Sequence, residues 1–223
     1  MQLVLTPELL IEAYKQGLFP MAYSADSPYV HWICPEERGQ LSIEGLHISK
    51  SLKKTVLQNI KRNGPYNITI NTAFEDVMRK CASEKADRPE TWINEPIIES
   101  YCKLNARGHA HSVECWDNGK LVGGLYGVAI GGAFFGESMF SRARDTSKIA
   151  LVHLCARLWK GGYTLLDTQF VNDHLQQFGV YEVSHGIYVG LLKEALMVES
   201  DFLMEGVSEA ALVQEYLKER KGN

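Results

Sequence analysis

A carboxylate and an amide lie close together in an otherwise apolar run of the sequence. Asp167 and Gln169 follow Leu165 and Leu166 and precede Phe170. In a strand, side chains two positions apart point to the same side, and the apolar neighbours predict that this strand is buried. A buried carboxylate is costly unless it is hydrogen-bonded or paired. Asp167 and Gln169 are therefore candidates for catalysis or for a structural bond between elements, and spacing alone leaves both interpretations open.

A basic surface is predicted on a helix at residues 49–63, where apolar residues recur every four positions. Lys50, Lys54 and Lys61 fall together on a second face of this helix, and Lys53 and Arg62 flank that face. Most charge runs are solvated helix surface. Clustered Lys and Arg also neutralise the phosphates of nucleic acids. A solvated surface and a phosphate-binding patch are both compatible with this pattern.

The composition is that of a folded protein without a strong charge bias. The chain has 223 residues, 45% of them hydrophobic, and a formal net charge of -4, so it can bury a substantial core and shows no bulk signature of a nucleic-acid binder.

Its five cysteines are scattered, which argues against a disulfide framework, and His109 and His111 lack partners at a convincing metal spacing. We expect no metal and no cofactor. Without a leader or a long apolar run, we expect a cytoplasmic protein that does not bind membranes.

The elements that must position these residues follow from periodicity and from start and stop signals. Helices are predicted near residues 6–17, 49–63, 72–82, 94–107, 145–160 and 208–218, and strands near 30–33, 40–43, 66–70, 110–116, 120–130, 133–140 and 165–170. Thr72 and Glu75 have capping-box spacing, and Asp117-Asn-Gly119 is a strong hairpin signal. A meander followed by a helix and a further strand favours an α+β fold with a mixed sheet over a doubly wound one. We expect a small N-terminal α/β subdomain at residues 1–46 and a main domain at 47–223.

Short segments along the chain, in order and at compatible spacing, together resemble one family. They are Gly17-Leu-Phe-Pro20, His47-Ile-Ser49, Cys81-Ala-Ser83, Thr91-Trp-Ile93, Gly108-His-Ala-His-Ser112, Gly123-Gly-Leu-Tyr-Gly-Val128, Gly136-Glu-Ser-Met-Phe-Ser-Arg142, Ser147-Lys148, Leu166-Asp-Thr-Gln169 and Asn172-Asp-His174. From about residue 6 to 179 the chain resembles the bacterial leucyl/phenylalanyl-tRNA–protein transferases.

The resemblance implies an aminoacyltransferase that moves Leu or Phe from Leu-tRNA or Phe-tRNA to the α-amino group of proteins beginning with Arg or Lys. The product would carry an N-degron for protein degradation. The resemblance also implies a main domain similar to the GNAT-like, acyl-CoA N-acyltransferase-like fold. We expect a monomer, with Met as a further side chain that the donor pocket accepts.

The resemblance assigns roles to individual polar residues. Asp167 and Gln169 match the family's catalytic pair. In an acceptor site, Glu137 would attract the N-terminal Arg or Lys through charge-assisted hydrogen bonds, and Asn172 would organise the strand end beside Gln169. Since an amide is not a usable base near neutral pH, we expect Gln169 to position the incoming amine and Asp167 to fix the orientation of Gln169. An ordinary core ion pair is the alternative for Glu137, because buried charges are normally paired.

The remaining assignments concern the charged tRNA. Positions that match the aminoacyl-adenosine site are Met21, Trp92, Leu125, Met139, Leu151, Leu154 and Leu158, and those that match the tRNA-binding cluster are Lys50, Lys53, Lys54, Lys61 and Arg62. Met21 stands where the family usually has Trp, so adenosine stacking would rest on Trp92 alone or involve Trp32. A stripe of Leu and Met is more often plain core than pocket.

Two other functions remain possible on the sequence. An acyl-CoA N-acyltransferase of the same fold would need a Gly-rich pyrophosphate loop at a helix N-terminus, and we find no convincing Arg/Gln-x-x-Gly-x-Gly/Ala segment. A module that binds tRNA or protein N-termini without turnover would leave Asp167 and Gln169 as a structural pair. Enzymatic turnover separates this binding module from the two transferases.

Overall fold

A computed structural model describes residues 5–27, 29–61, 64–83 and 91–221 of the chain. Helices α1 to α8 span Pro7–Lys15, Lys50–Asn59, Phe74–Ala82, Glu95–Ala106, Thr146–Lys160, Asp173–Gln176, His185–Leu196 and Glu209–Glu219. Strands β1 to β9 span Phe19–Ala22, Val30–Ile33, Glu37–Leu41, Asn67–Ile70, Ala110–Asp117, Lys120–Ile130, Ala133–Ser141, Leu165–Gln169 and Tyr181–Ser184. No helix within these ranges is both long and apolar enough to span a lipid bilayer.

Seven strands form one mixed sheet in the order β4-β5-β6-β7-β8-β3-β9, and β1 pairs with β2 in a separate sheet. All neighbours in the main sheet are antiparallel except β7 and β8, which are parallel. The predicted β5–β6 hairpin is confirmed, since Asn118 and Gly119 have φ angles of 46° and 76°, as a two-residue type I′ turn requires. The prediction of an α+β fold with a mixed sheet is confirmed.

Helices cover both faces of the main sheet. Helices α2, α5 and α8 pack on one face, in a cluster that includes Val152 and Leu212. Helices α1, α3, α4 and α7 pack on the other face, in a cluster that includes Val77 and Ile97. Because both faces are covered, the interior strand β6 is buried along most of its length.

Helix starts agree with the local sequence at some places and differ at one. Thr6 and Asn94 accept hydrogen bonds from main-chain amides in the first turns of α1 and α4, as N-cap residues do. The capping box predicted at Thr72 is wrong, because the N-cap position of α3 is Ala73. The buried Glu114 carboxylate of β5 accepts from the Ala73 amide instead, at 3.5 Å. A distant side chain has replaced a local cap.

Strand β3 lies inside the main sheet, between β8 and β9, although residues 1–46 are predicted as a separate subdomain. It begins at Glu37, three residues before the predicted strand at 40–43. Both of its partners come from the last third of the chain, so neither pairing leaves a signal in the local sequence. The predicted boundary near residue 46 therefore separates from the main domain a strand that completes its sheet.

The C-terminal helix α8 packs against α5 and closes the core on that side. Arg157 of α5 is buried, donates to the carbonyl oxygens of Phe202 and Leu203 at 2.6 and 2.9 Å, and pairs with Glu209 of α8. Tyr216 donates to the carbonyl oxygen of Ile43 at 2.6 Å. Helix α8 is thus tied to α5 and to the segment after β3.

Candidate active site

A cavity of about 730 Å³ opens where β7 and β8 separate. These parallel strands pair over only three positions, and the last pair is Phe135 with Asp167. Beyond this pair, β7 continues to Ser141 and β8 to Gln169, and residues of both strands line the cavity. The separation exposes parts of the strands that a continuous sheet would cover, so a ligand can reach them here.

The structure brings most of the predicted site residues together at this cavity. The predicted residues that line it are Met21, Trp92, Leu125, Glu137, Met139, Leu151, Leu154, Gln169 and Asn172. Leu158 does not line the cavity: it lies one turn beyond Leu154 on α5 and is fully buried in the core. Asp167 is also fully buried and lies outside the lining. Phe170, predicted as buried, is 47% exposed at the cavity wall, because β8 ends before it.

Asp167 forms a buried ion pair with Arg38. Arg38 Nε lies 3.0 Å from Asp167 Oδ1, and Arg38 Nη2 lies 2.7 Å from Oδ2, with side-chain exposures of 1% and 0% for the two residues. Tyr188 Oη donates to Oδ2 at 2.7 Å, and the main-chain amide of Gln169 donates to Oδ1 at 2.8 Å. The resemblance implies that Asp167 fixes the orientation of Gln169, and the structure places the contact between the two residues on the Gln169 main chain.

Arg38 is enclosed on all sides. Its guanidinium carbon lies 4.8 and 4.5 Å from the ring centroids of Phe19 and Tyr188, and Nη1 donates to the carbonyl oxygen of Gly17 at 2.7 Å. Burial, the largest single effect, lowers the pKa of Arg38, but the hydrogen bonds and the charge of Asp167, together with the nearby Tyr188 and Glu137, raise that pKa overall. The charged guanidinium therefore ties β8 to β3 and to the segment between α1 and β1.

Strand β8 has a bulge at its end, beside the cavity. Gly39 pairs with Gln169 and Gln40 with Asp167, so Thr168 is an extra residue on β8, and bulges of this kind re-aim side chains. Gln169 has a left-handed φ of 65°, which costs a non-glycine residue about 1–2 kcal/mol. A Cβ on Gly39 would lie 2.8 Å from Thr168 Oγ1, so the close approach of β3 to the bulge requires glycine there.

Glu137 of β7 and Gln169 of β8 meet across the separation of the strands. Gln169 Nε2 donates to Glu137 Oε1 at 2.8 Å. Tyr14 Oη donates to the same oxygen at 2.6 Å, Tyr101 Oη donates to Oε2 at 3.4 Å, and the two tyrosine hydroxyls contact each other. These partners in the described part of the chain are hydroxyls and an amide rather than a cation, which does not support a core ion pair for Glu137.

The pKa values of this cluster follow from its burial. Burial raises the pKa of Glu137 to about 7, against the opposing effect of the Tyr14 hydrogen bond. Burial, and then the charge of Glu137, raises the pKa of the Tyr14 and Tyr101 hydroxyls as well, so both remain protonated donors. The cavity therefore contains a carboxylate that gains or loses its proton near neutral pH.

Met21 and Trp92 reach the cavity from two segments that are joined by a hydrogen bond. The Ala22 amide at the end of β1 donates to the Trp92 carbonyl oxygen at 3.2 Å, which holds the two side chains in one wall. Trp32 is half-buried in β2 and is not one of the described residues that line the cavity. The structure therefore offers Trp92, and not Trp32, as an aromatic surface inside the cavity.

Asn172 has a structural contact as well as its place in the lining. Its side chain caps α6 and accepts from the Leu175 amide at 3.0 Å. This cap fixes where α6 begins, four residues after Gln169, and so fixes the path of the chain that leaves β8. Asn172 therefore both caps α6 and lines the cavity, and the two roles are compatible.

The predicted basic surface lies on α2 and just beyond it. Lys50 and Lys54 are exposed on α2, and Lys61 is exposed beyond its end. Lys53 is half-buried, and its Nζ lies 3.5 Å from the carbonyl oxygen of Leu217 in α8, so it differs from the other three. Arg62, predicted as part of the same surface, lies outside the described residues.

Four side chains that organise the cavity were missed in the sequence: Tyr14, Arg38, Tyr101 and Tyr188. Arg38 lies before the strand predicted at residues 40–43, whereas β3 begins at Glu37. Tyr14 and Tyr101 lie on apolar faces of predicted helices and are fully buried, and a buried Tyr hydroxyl usually finds a partner. That rule is the one signal for them, since their partner Glu137 is far away in sequence.

The fold and the cavity together define a class of protein. A mixed sheet opens between two strands, a carboxylate and an amide meet in the opening, and an apolar wall from α5 and β7 lies beside them. A polar pair beside an apolar pocket is the usual composition of a small-molecule or substrate site, so the class is that of an α+β protein with a substrate-binding cavity at the opening of its sheet.

Comparison with known proteins gives the family. Residues 40–193 match the family model described as Leucyl/phenylalanyl-tRNA protein transferase, and residues 4–36 match the model of its N-terminal domain. A leucyl/phenylalanyl-tRNA–protein transferase of Paramagnetospirillum magneticum is 55% identical over 86% of this chain and 90% of its own length. Proteins of the same name from Afipia carboxidovorans and Caulobacter vibrioides are 54% and 53% identical, over 89% and 88% of this chain and 85% and 88% of their own lengths. The chain belongs to the leucyl/phenylalanyl-tRNA–protein transferase family, which confirms the resemblance seen in the sequence.

Proposed function

We propose that this protein transfers Leu or Phe from charged tRNA to the α-amino group of proteins that begin with Arg or Lys. The observation that carries the proposal is the pair formed by Glu137 and Gln169, 2.8 Å apart beside an apolar wall, in a chain of this family. A carboxylate attracts the cationic end of an acceptor through charge-assisted hydrogen bonds. The apolar wall suits the side chain of the transferred residue.

The reaction requires positioning more than activation of the donor. An aminoacyl ester is already reactive: a bond from the amine nitrogen to the ester carbonyl carbon forms, and the bond from that carbon to the ribose oxygen breaks. Holding two reactants in attack geometry contributes a large part of such a rate. In this proposal Gln169 positions the amine, and Asp167 and Arg38 are positioning residues that act through the main chain of Gln169. Asn172 belongs to the acceptor part of the site.

The donor occupies the rest of the cavity. Its terminal adenosine stacks on Trp92, a contact worth about 1–3 kcal/mol, with Met21 as an apolar neighbour. The transferred side chain enters the pocket lined by Leu125, Met139, Leu151 and Leu154, which Leu158 supports from the core. Since one methylene in such a pocket changes binding by only about 1–3 kcal/mol, Leu, Phe and Met all fit.

We also infer a GNAT-like main domain, because a mixed sheet with two parallel strands that diverge at the ligand site supports that assignment. Acyl-CoA is then the alternative donor. The sequence lacks the Gly-rich segment that would bind its pyrophosphate, whereas the exposed lysines of α2 suit a polynucleotide. Charged tRNA is therefore the better-supported donor.

The test of the function supplies labelled Leu-tRNA and a protein that begins with Arg, and measures label on the protein N-terminus. Transfer is expected with Leu-tRNA and Phe-tRNA, and not with an acyl-CoA. A parallel acceptor that begins with Gly measures the preference for a cationic first residue. Folded protein that transfers nothing from either charged tRNA would refute the proposal.

Replacing Lys50 and Lys54 together by alanine is expected to raise the KM for charged tRNA. Each lysine that contacts a phosphate releases counterions, so its loss should lower the salt slope of binding by about one per residue. Lys53→Ala is the matched control, because Lys53 is half-buried against α8 and should change the slope less. If the double variant kept the full salt slope, the exposed face of α2 would not be the phosphate-binding surface.

A further inference from the structure

The proposed transfer leaves one chemical question open, which is what removes a proton from the incoming amine. A protein α-amino group has a pKa of about 7.7–8.0, so most of it is protonated at neutral pH and cannot attack an ester. Asp167 is poorly placed for this task. Asp167 is fully buried and does not line the cavity. Its oxygens already accept from Arg38, Tyr188 and the main-chain amide of Gln169.

Glu137 is placed differently. It lines the cavity beside Gln169, and its carboxylate accepts from two tyrosine hydroxyls and from Gln169 Nε2. Only the NH₂ end of the Gln169 amide can donate to a carboxylate. The carbonyl oxygen of that amide is therefore not the atom that contacts Glu137, and it can accept from the N–H of an amine that lies beside both side chains. Glu137 thus orients the Gln169 side chain, while Asp167 holds its main chain.

We propose that Glu137 is the proton acceptor for the α-ammonium group of the acceptor protein, and that Gln169 holds the resulting amine beside it. The inference rests on the proposed transfer function. In the first step the ammonium gives one proton to the carboxylate, which leaves a neutral amine and a carboxylic acid. The amine nitrogen then bonds to the ester carbonyl carbon, the carbon–oxygen bond to the ribose breaks, and the ribose oxygen takes the second nitrogen proton. Glu137 returns its proton to solvent.

The groups that face Glu137 define how it titrates. Tyr14 of α1 and Tyr101 of α4 donate to it, Tyr126 of β6 packs edge-on against Tyr101, and the charges of Asp167 and Arg38 act on it from behind Gln169 with opposite signs. Burial raises the pKa of Glu137 to about 7. Since the ionised carboxylate is the proton-accepting form, activity should fall as the pH drops below this value.

The test is a single-turnover measurement of transfer from saturating Leu-tRNA to a saturating Arg-starting protein, between pH 6 and 9, with the wild type and Glu137→Gln. Glutamine keeps the size of the side chain but cannot take a proton. We expect the variant to be slower by about 10²-fold at pH 7, in the range seen for lost acid–base catalysis. Its remaining rate should rise with pH until the amine itself is unprotonated, near pH 8, so the deficit should shrink at high pH.

Tyr14→Phe is the matched second variant and does not depend on how Glu137→Gln folds. The Tyr14 hydrogen bond lowers the pKa of Glu137, so its removal should move the acid limb of the pH profile to higher pH. A role of Glu137 only in recognising the Arg or Lys side chain predicts another result: an increased KM for the acceptor, with an unchanged pH profile and an unchanged rate at saturation.

That second result would overturn the proton-acceptor role and leave the transfer function intact. An acid limb that stays in place in Tyr14→Phe would also contradict it. Failure of the transfer function shows in the wild type, which would then not label the acceptor at any pH, so the two failures are distinguishable.

Discussion

Replacement of Asp167 by alanine is expected to reduce both stability and transfer. The substitution leaves the Arg38 guanidinium, which is 1% exposed, without its counter-charge, and breaking a buried pair in this way costs about 3–5 kcal/mol. It also removes the acceptor that holds the main-chain amide of Gln169. A displacement of about 1 Å at a reacting group can cost about 10²-fold in rate. Denaturant unfolding and single-turnover transfer measure the two effects separately.

The double variant Asp167→Ala with Arg38→Met is the control for this prediction. Replacing a buried ion pair by apolar side chains is often neutral or stabilising, so most of the lost stability should return. Transfer should stay low, because the main-chain amide of Gln169 still lacks its acceptor. If the double variant regained transfer, the rate loss in Asp167→Ala would be a consequence of poor folding, and Asp167 would not be a positioning residue for Gln169.

The sequence predicts those parts of the fold that depend on neighbouring residues. The Asn118-Gly119 turn, which is set by two residues that tolerate positive φ, is present as predicted. The apolar periodicity of α5 and the burial of Asp167 are local properties too. For the same reason Asp167 and Gln169 could be selected as site candidates from one short run of sequence.

What the sequence does not predict are contacts between distant segments. Arg38 and Asp167 are 129 positions apart, and nothing near either residue indicates that β3 lies beside β8. The cap of α3 by Glu114 and the bulge that turns Gln169 toward Glu137 depend on strand pairing in the same way. A β-bulge changes which side chains share a face, so the rule that positions two apart face the same side could not assign the partners of Gln169.

Gln169→Ala is expected to lower the rate of transfer by about 10²-fold with little change in the KM for charged tRNA. The side-chain amide of Gln169 donates from Nε2 to Glu137 Oε1 at 2.8 Å. In the proposed mechanism this amide holds the amine. In the same proposal the donor is bound elsewhere, by the pocket, by Trp92 and by the lysines of α2. A large increase in the KM for tRNA with an unchanged rate at saturation would place Gln169 in the donor site and contradict its assignment to the amine.

Gln169→Gly separates the amide from the backbone that carries it. Both variants lack the amide, but glycine adopts the left-handed φ of 65° without the penalty that alanine retains, about 1–2 kcal/mol. The glycine variant should therefore be more stable than the alanine variant and equally slow in transfer. Recovery of transfer in Gln169→Gly alone would mean that the conformation of the bulge matters and the amide does not. Equal rates of transfer in the two variants, at unequal stability, would assign the loss of transfer to the missing side-chain amide.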